Sequence, residues 1–281
     1  MKYFDAHTHA HFSAFKDDWR QVIQRALDQG VGMINVGTQK DTSRGAVATA
    51  HAFPESVYAA VGLHPVHTDR SFHDAQELGA TEDAEGFTSR GEEFDPAYYK
   101  QLALDSRVVA IGECGLDYFR IEGDMKEKKR RQKAAFEAQI ALAHEVQKPL
   151  MVHCRDAFPD LIDILTANRH SLNDTPGVIH FFTGTIEDAQ KLLGLNFAFT
   201  FGGVITFAPS YDEILKMLPA DHILSETDAP YVSPEPYRGK RNEPAYVIEV
   251  VKKLSEIKGL APEEMTAVIM ANARKIFRLD Q

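Results

Sequence analysis

VVAIGECGLDYFRIEGDMKEKKRRQKAAFEAQIALAHEVQKPLMVH occupies residues 108–153. It opens on a short apolar run, 108–113, and closes on another, 150–153; both are rich in valine, isoleucine and leucine and read as strands. Between them, 126–147 places Ala135, Phe136, Ile140 and Ala143 on one face at helical spacing. Two strands joined by a helix of this length run parallel. The same rhythm continues outward in both directions. Further strand-like runs lie at 3–7, 32–37, 57–63, 178–182, 197–201 and 223–226. Helical patterns lie at 19–28, 157–168, 186–195, 211–218, 244–257 and 261–277. Eight strands alternating with helices predict an α/β chain folded as one (β/α)8 TIM barrel over 1–281, with an open doubly wound sheet as the alternative.

Composition agrees with a folded enzyme-sized chain. Of 281 residues, 44% are hydrophobic and 26% charged, which excludes a disordered or fibrous protein. Cys114 and Cys154 are the two cysteines, which excludes a disulfide scaffold and fits a reducing compartment. The opening MKYFDAHTHAHF has no basic-then-apolar leader, and no apolar run approaches the roughly 20 residues that cross a bilayer. The expectation is a cytoplasmic protein without a membrane or an obligate protein partner. Net charge is −10, but the stretch from Asp69 to Asp95 alone holds −7, leaving −3 elsewhere. This acidic stretch lies within 66–96, an insertion after the third strand that reads as a surface excursion or a lid over the catalytic face.

Chemistry concentrates at strand ends, where a barrel keeps its active site. His7 and His9 end the first strand, His64 the third, His153 the fifth and His180 the sixth. Glu113 ends the fourth, and Glu226 with Asp228 the eighth. Residues two apart in a strand share a face, so His7 and His9 can chelate one ion, with Asp5 behind as an acceptor for a ligand imidazole. Glu113 closes an apolar strand, and a bare buried carboxylate needs a cation, so it is the residue placed to bridge two metals. Arg155 shares the face of His153 and suits an anionic oxygen substrate. Asp228 is the natural partner of His7 and His9, with a free oxygen beside a water. Glu226 could orient a water, touch a further metal or pair with a base. Basic residues at Arg120, 126–131 and 238–241 follow the fourth and eighth strands and could track a phosphate backbone.

In order along the chain, FDAHTH, VGLHP, AIGECGLDYF, VHCRDA, HFFTG, ETDAPY and RNEPAYV resemble the TatD family of metal-dependent deoxyribonucleases. The resemblance implies the metallo-dependent hydrolase type of barrel. It implies one metal held by His7, His9, Glu113 and Asp228, and a second held by Glu113, His153 and His180. His64 and Arg155 become substrate-phosphate contacts, and Glu226 matches a position tied to an extra metal or water. The acidic 66–96 stretch is longer than the usual connection. The expected activity is two-metal phosphodiester hydrolysis, of exonuclease type on DNA, with Glu113 and Asp228 catalytic and Asp228 the proton acceptor. Mixed imidazole and carboxylate donors suit Zn, Mn, Ni, Co or Mg. The alternatives are a related hydrolase of an ester or amide, such as D-aminoacyl-tRNA, and a non-catalytic metal-binding protein. A DNA-binding module is disfavoured by the net charge and the lack of a helix-turn-helix cue.

Overall fold

A computed structural model describes residues 1–70, 72–73, 87–119, 121 and 123–279. Eight parallel strands follow one another in a single sheet: β1 (Tyr3–Thr8), β2 (Val31–Val36), β3 (Val57–Val61), β4 (Val108–Asp117), β5 (Leu150–Arg155), β6 (Gly177–Ile179), β7 (Ala198–Phe201) and β8 (Ile223–Ser225). The order in space is the order in sequence, which separates a barrel from the doubly wound sheet, whose order reverses partway. Hydrogen bonds draw the first and last strands together: Asp228 N–H donates to His7 O (2.9 Å), His9 N–H to Ala229 O (2.8 Å) and Ser225 Oγ to Phe4 O (2.8 Å). The sheet is thus a nearly closed TIM barrel.

The helices are α1 (Trp19–Asp28), α2 (Lys40–Ala52), α3 (Pro96–Ala103), α4 (Met125–Val146), α5 (Phe158–Ala167), α6 (Ile186–Gly194), α7 (Asp212–Met217), α8 (Val247–Lys258) and α9 (Pro262–Phe277). Local chemistry sets their ends. Asp124 caps α4 through Glu127 N–H, and Thr185 and Asp188 cap each other at α6. Gly259 stops α8 at φ 65°. Every residue of β2, β3 and β4 is buried, so the core lies inside the barrel and between it and the helices.

Two helices escape a reading by periodicity. The apolar face of α2 is built of alanines with serine, threonine and glycine between them, which leaves no stripe of large residues to see. At eight residues, α3 is too short to show a repeat. β4 runs to Asp117, four residues beyond the expected end: its register against β5 shifts between Ile111 and Cys114, around Glu113, and pairing then resumes from Cys114 to Asp117 opposite Val152 to Arg155. The ends of the 66–96 insertion are tied down. Glu92 N–H donates to His67 O (2.7 Å), Asp95 lies 3.5 Å from Lys40 Nζ, and Asp69 pairs with Lys128 (2.8 Å). Of the 66–96 stretch, read as a surface excursion or a lid, residues 71 and 74–86 lie outside the described residues.

Candidate metal centre

The C-terminal ends of the strands surround a cavity of about 160 Å³ lined by His9, His64, Glu113, His153, Arg155, His180 and Asp228, among others. Glu113 is its centre. Oε2 lies 3.4 Å from His7 Nε2 and 3.7 Å from His9 Nε2. Oε1 lies 3.0 Å from His153 Nδ1 and 3.2 Å from both His180 Nε2 and His64 Nε2. Its two oxygens divide five imidazoles into two groups. Asp228 joins the first group, with Oδ1 3.4 Å from His9 Nε2 and 3.7 Å from His7 Nε2. Among the described residues, three sets have one donor atom each within 4.8 Å of the others: His7, His9 and Glu113; His7, His180 and Asp228; and His64, Glu113 and His153.

What each ring touches on its far side decides which nitrogen carries the proton. Val36 O can only accept, so His9 Nδ1 donates to it (2.7 Å) and Nε2 keeps its lone pair. Asp117 Oδ2 lies 2.9 Å from His153 Nε2, and Glu226 Oε2 lies 3.2 Å from His180 Nδ1. These carboxylates leave the lone pairs of His153 Nδ1 and His180 Nε2 facing Glu113. Lone pairs that converge on carboxylates repel. A divalent cation turns that repulsion into attraction, and imidazole with carboxylate is a donor set for such an ion, so the residues fit one. Burial opposes charging His153, yet hydrogen bonds to Asp117 and Glu113 push it up to about 9: without a cation, a proton on Nδ1 takes the place between the ring and Glu113 that a cation would take. His64 differs. Val66 N–H donates to its Nδ1 (3.2 Å), so the neutral ring turns an N–H, not a lone pair, toward Glu113.

Three expectations change in detail. Asp5 is fully buried but holds no imidazole; it accepts from His7 N–H (3.3 Å), Thr227 N–H (2.8 Å) and Thr227 Oγ1 (2.6 Å), binding β1 to the end of β8. His7 Nδ1 accordingly has no partner among the described residues. Glu226, read as orienting a water, touching a further metal or pairing with a base, is fully buried and does the last, with Oε2 3.2 Å from His180 Nδ1. Besides His180 it accepts from Phe181 N–H (2.8 Å) and Thr200 Oγ1. The basic run at 126–131 is largely committed: Lys128 to Asp69 (2.8 Å), Arg130 and Arg131 to Glu127 (2.7 and 3.0 Å), and Lys129 over the Tyr118 ring. Arg120 lies outside the described residues. Arg155 lines the cavity with its guanidinium 3.5 Å from the centroid of the Phe119 ring. Sequence reasoning missed Asp117. The signal was there, since Glu113, Gly115 and Asp117 share one strand face.

The model for TatD-related DNases matches residues 4–278. An uncharacterized metal-dependent hydrolase of Bacillus subtilis (strain 168), YabD, is 37% identical over 280 residues, covering 99% of each chain. The 3'-5' ssDNA/RNA exonuclease TatD of Pectobacterium parmentieri (strain WPP163) is 35% identical over 286 residues, covering 98% of this chain and 99% of its own. Among solved structures, YjjV, a TatD homolog from Escherichia coli K12, superposes with a TM-score of 0.81 at 26% identity, covering 99% of both chains.

Proposed function

The chain belongs to the TatD-related DNase family, and from that membership we propose that it cleaves phosphodiester bonds of single-stranded DNA or RNA from one end, using two divalent cations. That it is a metal-dependent hydrolase of ester bonds follows from the family itself. The observation that carries the two-cation reading is the division of Glu113, with Oε2 toward His7 and His9 and Oε1 toward His153 and His180. On this reading His7, His9, Glu113 and Asp228 hold one cation, and Glu113, His153 and His180 the other.

When bound, the cations supply positive charge that makes a water more acidic and polarises a phosphoryl oxygen. The chain's own residues do the rest. Asp228 has a side chain 17% exposed, at the edge of the imidazole cluster, and takes the proton from the attacking water. Arg155 presents its guanidinium to the phosphoryl oxygens, and His64 borders the same substrate space, so that a bound phosphate competes with Glu113 Oε1 for its Nε2–H. Phe12 and Tyr231 line the same cavity, and Phe12 stacks on His9 with centroids 4.3 Å apart, holding that ring and narrowing access for water.

The test is turnover after chelation and resupply of Zn, Mn, Ni, Co or Mg, on single-stranded DNA, RNA, a phosphodiester chromophore and an aminoacyl ester. Metal-dependent loss of terminal nucleotides is expected. Turnover of the aminoacyl ester alone would transfer the site to the ester-hydrolase alternative, and metal uptake without turnover of any substrate would leave a binding protein.

A further inference from the structure

Resting on the two-cation reading above, we propose that Asp117 and Glu226 are positioning residues for one cation only, the one at Glu113, His153 and His180. They set its affinity and leave the other position unaffected. Glu226 does not line the cavity, and Asp117, which does, sets its Oδ2 against the far nitrogen of the His153 ring. Asp117 sits behind His153, at Nε2 (2.9 Å), while Nδ1 of the same ring faces Glu113 Oε1 (3.0 Å). Glu226 sits behind His180, at Nδ1 (3.2 Å), while Nε2 faces the same oxygen (3.2 Å). The two come from different strand ends, of β4 and β8, and each acts through an imidazole.

Both are locked in place. Phe119 N–H donates to Asp117 Oδ1 (2.9 Å), and the side-chain amide of Gln132 grips the Asp117 main chain at N–H (2.9 Å) and C=O (2.8 Å). Phe181 N–H donates to Glu226 Oε1 (2.8 Å), and Thr200 Oγ1 donates to Oε2. Asp117 is 6% exposed and Glu226 fully buried, so neither charge is diluted by solvent. The other position lacks this support. His9 is backed by a neutral carbonyl, Val36 O, and His7 Nδ1 by no partner among the described residues. A carboxylate behind a ligand histidine fixes the tautomer and strengthens the donor, and losing one lowers metal affinity by about 10–100-fold. Here that backing falls on one side of Glu113 only.

The test is equilibrium titration of the chelator-treated full chain with Zn²⁺ against a competing chromophoric chelator, together with inductively coupled plasma analysis. The wild type is expected to take two equivalents. His180→Ala identifies one of them by its loss, and Asp228→Asn the other. Asp117→Asn and Glu226→Gln keep an acceptor but remove the charge. Each should weaken the equivalent marked by His180 by about 10–100-fold and leave the one marked by Asp228 within about twofold. In the Zn²⁺-loaded wild type, imidazole ¹H–¹⁵N spectra should show the ring proton on Nε2 of His153 and on Nδ1 of His180, both slow to exchange; this measurement stands if a variant fails to fold. Equal weakening of both equivalents, different equivalents hit by the two variants, unmoved affinities, or the opposite ring protons would each overturn the proposal. Failure of the wild type to take two cations would overturn the two-cation reading beneath it, a result distinct from two cations bound with affinities that do not respond.

Discussion

Glu113 carries more of the chemistry than any other residue. Burial alone would raise its pKa, but the imidazoles of His64, His180 and His7 hold it well below the usual carboxylate range, so it stays an anion. Glu113→Gln keeps the shape and removes the charge shared by both halves of the cluster. Loss of at least one cation is expected, with turnover reduced on the order of 10³-fold or more, equivalent to about 4 kcal/mol. Metal analysis and kcat at matched fold check this; two cations retained with most of the rate would contradict the bridging role. Arg155 belongs to the substrate side. It borders the cavity over Phe119, and a guanidinium donates hydrogen bonds but has no acceptor lone pair to offer a metal. Arg155→Ala is therefore expected to raise KM or lower kcat for phosphodiesters with cation content unchanged, and a drop in cation content would make it a support for His153 instead. At this scale sequence reading finds the residues that face the mouth, because strand alternation and the position of the last apolar residue point to them. It does not find their backing. Whether Glu226 faces the mouth or His180 depends on Thr200 and Phe181, which come from other elements and carry no local signal.

Among the elements, α4 does more than cover the barrel. Gln139 is fully buried, accepts Leu63 N–H (2.8 Å) and donates to Leu63 O (3.0 Å), one residue before His64. Gln132, seven residues earlier on the same helix, grips Asp117 in the same two-point fashion. Two amides, two turns apart, thus fix the ends of the third and fourth strands, where ordinary ladder bonds have run out. Gln139→Leu fills the volume but leaves both Leu63 groups unpaired in the core. At about 1–3 kcal/mol for each unsatisfied group, a loss of about 2–6 kcal/mol is expected in urea unfolding, with a raised KM through displaced His64. A variant as stable as the parent would show that water or a shifted backbone replaces the clamp. This α4 is legible to within a residue at each end, with 126–147 expected against Met125–Val146 observed, yet the apolar face that reveals it says nothing of the glutamines. Conversely α2 goes unread although it packs as tightly, because alanine, serine and threonine bury well without marking a stripe.

At the scale of the molecule, the barrel was legible because its order is its sequence order: eight short apolar runs, each followed by enough chain to cross over. Its closure was not, since the bonds joining β8 to β1 run between residues more than 200 apart, such as Asp5 and Thr227. Surface pairs add an acid limb to its stability. Asp18, Asp69 and Asp160 are held below the usual carboxylate range by Arg241, Lys128 and Lys133. A depressed carboxylate contributes stability above its unfolded pKa, near 3.8, and loses it as pH falls through the folded value. The share of these pairs, measured as the difference in thermal stability between the parent and a variant with Asp18, Asp69 and Asp160 changed to asparagine, should therefore be flat from pH 7 to 5 and fall below pH 4, less in high salt, with each exposed pair contributing at most about 1 kcal/mol. The last expectation separates fold from cations. The apolar core of the barrel is continuous from Phe4 to Leu279 without any of the proposed ligands, so chelation should leave the far-ultraviolet circular dichroism intact. The ligand cluster is nevertheless arranged for positive charge, and its imidazoles and carboxylates fit a cation better than one another. A cation that binds only the native state stabilises it by about 2.7 kcal/mol at a hundred times its Kd. With a shift of about 2–4 °C per kcal/mol for chains somewhat shorter than this one, Tm should rise by about 5–10 °C on resupply of metal. Scanning calorimetry of chelated and reloaded protein measures it. Collapse of the dichroism on chelation would mean that the cations hold the barrel together, and an unchanged Tm with restored activity would mean that the unfolded chain, with its histidines and carboxylates, binds the cations as well as the native one does.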